Sequence, residues 1–363
     1  MRTFPVLFLA MATGFAGLSS LLPAAEPQAS PIRPRTVTLN QPGGTLGQVA
    51  TELSKKTGIP VSVDPALAPA KCPAQFKDAP FWTALEGIAK QTDTRIVLHD
   101  AGRKIALEPR GSARESSSVY GPFRTVSRQV VIRYDLDLGQ ASYFVQIDAH
   151  WEPRFPVFRI SSAPQVTRAT DDRGTELTAS AAKAFTQPGG AAVHSLDPVR
   201  LVGLTRDSRS ISVLAGSYTV TAADKMLAFR FDDLTAKLPV SLPPQDTVSA
   251  TLTQFEKDDS VWEAKVELTY PAGQPVFESF EEGTWLTQNR MQLIPPGGGK
   301  AFAPDDHQVL ESGRRVVVVY RFKEDAAKGL VNPRAKGWSL VYDAPAPLVE
   351  FAVPFELKDI PLP

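Results

Sequence analysis

Cysteine is almost absent from this chain: Cys72 is the only one. A single cysteine excludes an internal disulfide, so the fold must be held by apolar cores alone. Cys72 lies beside Pro73 with no histidine near it, which marks a small apolar filler rather than a nucleophile. Histidine is scarce as well. His99, His150, His194 and His307 are scattered, without an HExxH or a paired-cysteine pattern, so the sequence offers no metal site. An excess of one charge is also missing. Lysine plus arginine and aspartate plus glutamate number 39 each, which removes the basic field that holds nucleic acid or an anionic membrane. Beyond residue 22 no apolar run is long enough to cross a bilayer.

Chemistry-bearing motifs are equally thin. No Gly-x-Ser-x-Gly elbow occurs. Gly297-Gly298-Gly299-Lys300 is glycine-rich but follows Pro295-Pro296 and leads into no helix, so it reads as a hairpin tip, not a phosphate loop. Asp135-Leu136-Asp137-Leu138-Gly139 lacks the later ligands of a calcium loop and reads as a turn. Asp171-Asp172, Asp258-Asp259 and Asp305-Asp306 sit at turn positions too. Any two carboxylates can converge for glycoside hydrolysis, but none is singled out. The expectation is a protein that is not an enzyme, with no catalytic residue, no cofactor and no metal.

What the chain does have begins at its start. Met1-Arg2 followed by the apolar stretch Phe4–Leu22 and the small residues Pro23-Ala24-Ala25 has the form of a secretory signal over 1–25. A retained anchor is the competing reading of the same segment. The signal implies export, to the periplasm or an outer-membrane-associated position. Residues 26–35, rich in proline, read as an extended tether. With 363 residues and 43% apolar content, two or three domains are expected.

A doubled pattern follows. Leu46–Asp64 (LGQVATELSKKTGIPVSVD) and Phe81–His99 (FWTALEGIAKQTDTRIVLH) align at a constant offset. Leu46 matches Phe81, Leu53 matches Ile88, Lys55 matches Lys90 and Val61 matches Ile96. Each copy reads as a short amphipathic helix leading into a strand. Thr45 with Gln48 forms a capping box and Gly58 a C-cap, while Asp78 and Pro80 open the second helix. With strands at 36–40 and 74–77 and a hairpin about Asp100-Ala101-Gly102, the expected order is β-α-β-β-α-β-β.

Lys56-Thr57-Gly58, Val61-Ser62-Val63-Asp64 and Asp78-Ala79-Pro80-Phe81-Trp82 stand in the order and spacing of a known module. Residues 36–110 thereby resemble the short N-terminal domain of secretins and TonB-dependent receptors. The resemblance implies an α+β docking module without catalysis, whose partner is another envelope protein, either secretin-like or an outer-membrane receptor. Trp151-Glu152-Pro153, Thr170–Gly174 and Phe355–Pro363 are similar to stretches of exported proteins of planctomycete type, which implies export and this layout but no activity.

After a linker at 111–119 the period changes to two. Tyr143, Val145, Ile147, Ala149 and Trp151 alternate with polar residues, as do Trp262, Ala264, Val266, Leu268 and Tyr270. The body is therefore expected to be all-β. Phe229–Leu234 and Phe355–Ile360 repeat one another, which suggests two Ig-like β-sandwiches at 120–238 and 239–363; one large sandwich is the alternative. Two surfaces stand out as partner-binding candidates. One is the ends of the paired helices, with Lys55, Lys56, Lys90 and Gln91. The other interleaves Phe277, Phe280 and Trp285 with glutamates. The first points to a protein-docking adaptor, the second to glycan or cell-wall binding.

Overall fold

A computed structural model describes residues 30–112, 114–137, 139–154, 156–180, 183–189, 192–273, 275–276 and 289–363. The expected signal segment and the aromatic residues Phe277, Phe280 and Trp285 lie outside the described residues. The described chain is mostly β, in several sheets, with two α-helices.

The first unit comprises β1 (Thr36–Gln41), α1 (Leu46–Thr57), β2 (Val61–Val63), β3 (Ala74–Pro80), α2 (Phe81–Gln91), β4 (Thr94–His99) and β5 (Lys104–Pro109). β1 pairs antiparallel with β3, while β5 lies between β2, parallel, and β4, antiparallel. α1 starts where Thr45 accepts from Gln48 N–H and Gln48 accepts from Thr45 N–H. It ends at Gly58, whose left-handed φ of 72° a residue with a Cβ adopts only under strain. Leu46, Val49 and Leu53 on α1 and Phe81, Trp82, Leu85 and Ile88 on α2 meet Val37, Leu39, Ile96 and Leu107 in one buried core. Cys72 is buried in that core, and burial pushes its thiol up, so it is held as the neutral thiol.

The chain continues through β6 (Ser117–Tyr120), β7 (Phe123–Asp135), β8 (Gln140–Trp151), β9 (Val157–Ser161), β10 (Gln165–Asp171), β11 (Thr178–Ala179), β12 (Thr186–Pro188), β13 (Val193–Ser195), β14 (Val199–Val202) and β15 (Ser210–Phe231). β11, β14, β8, β7 and β6 form one sheet in that order, with β13 also on β8. Next come β16 (Val240–Ser241), β17 (Ser249–Asp258), β18 (Val261–Thr269), β19 (Arg290–Ile294), β20 (Asp306–Glu311), β21 (Arg315–Lys323) and β22 (Ser339–Pro361). β16, β17, β18, β21 and β20 make a second sheet. A third sheet, in the order β12, β9, β15, β22, β19 with β10 also on β15, serves both.

The two longest strands, β15 and β22, pair antiparallel from Ser210↔Pro361 to Phe231↔Leu340. Each spans both β cores. Ile211, Leu214, Tyr218 and Val220 of β15 join Val353, Phe355, Leu357 and Ile360 of β22 against Val145 and Ile147 of β8, forming the first core. Phe229 and Phe231 of β15 join Leu340 and Tyr342 of β22 against Trp262, Val266, Val318 and Phe322, forming the second. Gly216 sits where β15 is hemmed in by β10 and β22. A Cβ there would fall inside the contact radius of the Gln165 carbonyl and press on Phe355.

The two cores therefore do not divide the chain at residue 239. The repeat noted in the sequence is real in position, since Phe229, Phe231 and Leu234 fill one core as Phe355, Leu357 and Ile360 fill the other. Yet each set lies in the core built mainly by the opposite half of the chain. Alternation marks which side chains point inward but not which core receives them, and strands of this length run past one core into the next.

Two expected linkers are also structured. Of the Pro-rich leader, the described part begins at Ser30, and Ile32 is buried in the first β core at 1% exposure. The segment 111–119 delivers β6, which pairs with β7 from Ser117↔Val126 to Tyr120↔Phe123. Its serines work as acceptors: Glu356 N–H donates to Ser118 Oγ (3.1 Å) and Lys358 N–H to Ser116 Oγ (2.8 Å). Serine hydroxyls here continue the ladder where β22 passes β6, a role that composition alone does not separate from linker chemistry.

Candidate functional site

The helix ends come first. Lys55 and Lys56 lie in the last turn of α1 and Lys90 in that of α2, next to Gln91, where cations suit the negative end of the helix dipole. All four are exposed. Lys56 is engaged, donating to the Thr38 carbonyl (2.8 Å) and facing Glu52 (3.5 Å). The side chains of Lys55, Lys90 and Gln91 have no hydrogen-bond or ion-pair partner among the described residues, and no such bond joins the two helix ends.

Next to this surface the first unit is locked to the β body by a buried polar seam. Arg124 on β7 is 2% exposed. Its Nε donates to Glu86 Oε1 of α2 (2.8 Å) and its Nη2 to Glu115 Oε1 (2.7 Å). Glu86 also accepts from Ser117 Oγ (2.5 Å). One turn earlier on α2, Trp82 Nε1 donates to the Pro122 carbonyl at 2.9 Å. Its ring lies 6.3 Å from that of His150 on β8.

His150 is buried, and its Nδ1 faces Arg124 Nη1 at 3.4 Å. Burial, then the nearby charges of Arg124 and Arg128, holds its pKa well below the ordinary histidine value. The ring is neutral and accepts from the guanidinium. Nearby, buried Glu152 accepts the Arg35 N–H with both oxygens (2.9 and 3.1 Å) and the Arg154 guanidinium (2.5 Å). Burial still raises its pKa against those donors. Arg154 further donates to the Arg33 carbonyl (2.6 Å), so the leader is held at its backbone. A buried arginine satisfied by two carboxylates orients what it joins, because losing either partner leaves charge without compensation.

Beside this seam lie three adjoining clefts, of about 270, 630 and 600 Å³, and Arg114 lines all of them. The cations around them are Arg95, Arg110, Arg114, Arg128 and Lys358. Against these stand Glu115, Asp148 and Asp359. Most of the cations are engaged: Arg95 with Glu108 (3.0 Å), Arg110 with Asp93 (3.2 Å), and Arg128 with Asp148 (3.1 Å). Glu108 itself is held below the usual carboxylate range by its bond to His99 and by Arg95. Arg114 is exposed and its guanidinium has no partner among the described residues.

No protein-family model matches the chain, and no curated protein or solved structure matches it either. The site therefore has to be read from its own geometry.

Sequence reasoning passed over Glu86, Arg114 and Arg124, and took His150 only as one of four scattered histidines. His150 alternates with the apolar stripe of β8 and so reads as solvated, while Arg124 belongs to no alternation in the sequence. One signal was present: Trp82 and Glu86 are four apart on α2, hence on one face, and point a polar pair at one neighbour. The Asp135 turn behaves as expected, with Asp137 N–H donating to Asp135 Oδ1 at 3.0 Å. Asp171 likewise accepts from Arg173 N–H (3.0 Å), Thr175 N–H (2.8 Å) and Ser208 Oγ (2.9 Å).

Proposed function

We propose that this chain is a non-enzymatic, exported adaptor of the cell envelope that docks another envelope protein through its first unit. The observation that carries the reading is the pairing of a free surface with a fixed base. Lys55, Lys90 and Gln91 project unpartnered, while Trp82 and Glu86 of the same unit are held in the buried seam. The backbone beneath a recognition surface anchored this way loses little freedom on binding. The resemblance of residues 36–110 to the docking domain of secretins and TonB-dependent receptors points the same way, as do the signal-like residues 1–25.

Deleting 36–109 is a poor test, because Trp82 and Glu86 help close the β body. The double charge reversal K55E/K90E touches only exposed, unpartnered side chains. In-cell crosslinking with mass spectrometry is expected to lose one envelope partner in this variant while the folded protein accumulates normally. Recovery of the same partners at the same yield would overturn the docking role of the helix ends.

A further inference from the structure

The outer edge of β7 is left open. β6 covers only its first residues, and the last backbone bond on that side is Ser127 N–H to the Ser116 carbonyl (2.9 Å). β7 goes on to Asp135 paired with β8 alone, and among the described residues no strand pairs with its other side. Residues 128–135 (RQVVIRYD) contain neither proline nor lysine; the devices that blunt this edge are the charges of Arg128, Arg133 and Asp135 and a register irregularity between Ser127 and Gln129. The same arm is apolar where it leaves the core. Val131, Ile132, Tyr134 and Leu136 make up four of the nine large apolar side chains exposed among the described residues.

Where β6 stops, a gap opens between this edge and the end of β22. It is the cleft of about 270 Å³, lined by Arg114 and by the stretches 127–130 and 360–363. The charged side chains lining it are Arg114 and Arg128, and none is acidic. Arg114 also opens toward the two adjoining clefts, whose charged residues are mostly basic.

We infer that this gap takes one extended acidic peptide segment of a partner protein, added as a strand to the outer edge of β7 in the place that β6 vacates. The backbone of β7 supplies the ladder, the arm's apolar side chains pack alternate residues, and Arg114 pairs with carboxylates between them. A second copy of this chain is the competing occupant, and sedimentation separates it from a peptide. The inference rests on the reading of the chain as a binding protein but uses a different surface from the helix ends.

The test uses the full chain and a fluorescent peptide of alternating valine and glutamate, followed by anisotropy. The peptide is expected to bind, and binding is expected to weaken as salt rises. Arg114→Glu should weaken it by about tenfold or more. Among the described residues Arg114 has no partner to lose, so this variant should keep the wild-type melting temperature. Two further peptides carry N-methyl groups on the valines or on the glutamates. Strand addition predicts that one set abolishes binding and the other leaves it, because alternate N–H groups face the edge.

No binding, equal binding of a valine–lysine peptide, or equal loss with both methylated sets would overturn the inference. So would a dimer in sedimentation that excludes the peptide, which would give the edge to a second copy. The K55E/K90E crosslinking experiment reads the helix ends separately, so either result can fail without the other.

Discussion

Phe229 and Phe355 occupy equivalent positions in the two halves of the chain, and truncating them should produce crossed effects. Phe355 lies on the last strand, yet its ring stacks on Tyr218 at 6.4 Å in the first β core. Phe229 lies in the first half of the body, yet is buried in the second core opposite Tyr342. Both are essentially inaccessible, so Phe355→Ala and Phe229→Ala should each cost about 3–5 kcal/mol. At about 1.4 kcal/mol per decade, amide protection in the affected core should fall by roughly two to three and a half orders of magnitude. Hydrogen exchange read by mass spectrometry resolves where. F355A is expected to release amides of β7 and β8 first and leave β17, β18 and β21 the better protected. F229A should do the reverse. If F355A instead loosens β17, β18 and β21 while β7 and β8 hold, the exchange of strand ends between cores is wrong.

Two other outcomes follow from the buried seam. Folded His150 is held neutral, so below pH 6.5 the unfolded chain takes up a proton that the folded chain refuses, and stability falls as pH falls. The contribution approaches about 1.4 kcal/mol per pH unit below that point. His150→Asn keeps an acceptor for Arg124, and its melting temperature should drop less than the wild type's between pH 7 and pH 5; parallel curves would remove His150 as the cause. Replacing both Glu86 and Glu115 with alanine leaves Arg124 buried without a countercharge and should cost about 3–5 kcal/mol by chemical denaturation. A loss below 1 kcal/mol, on the order of an exposed pair, would mean that water reaches the guanidinium.

The sequence carried the local structure well. Thr45, Gln48 and Gly58 mark the limits of α1 because capping uses neighbours within a few residues. The alternation in Tyr143–Trp151 and Trp262–Tyr270 marks β8 and β18 because period two is a property of a single strand. What it did not carry is pairing at a distance. Glu86 meets Arg124 across 38 positions, and Ser118 meets Glu356 across 238. No local period encodes those partners. The serines of 111–119 carry the composition of a linker and perform the hydrogen bonding of a strand. The exposed helix-end positions of Lys55, Lys90 and Gln91 were legible, since they need only helical spacing to be seen. Arg114 was not, since its importance comes from three clefts converging on one side chain.

The crossing of β15 and β22 also sets a timetable for synthesis. The first core cannot close until the far end of β22 exists, and 210 residues separate the last residue of β8, Trp151, from Pro361 (361 − 151). At translation rates of about 5–20 residues per second, β8 waits on the order of 10–40 s before the β22 side of its core is filled. Throughout that interval the nascent chain displays an aggregation-prone strand that its own later residues are destined to cover.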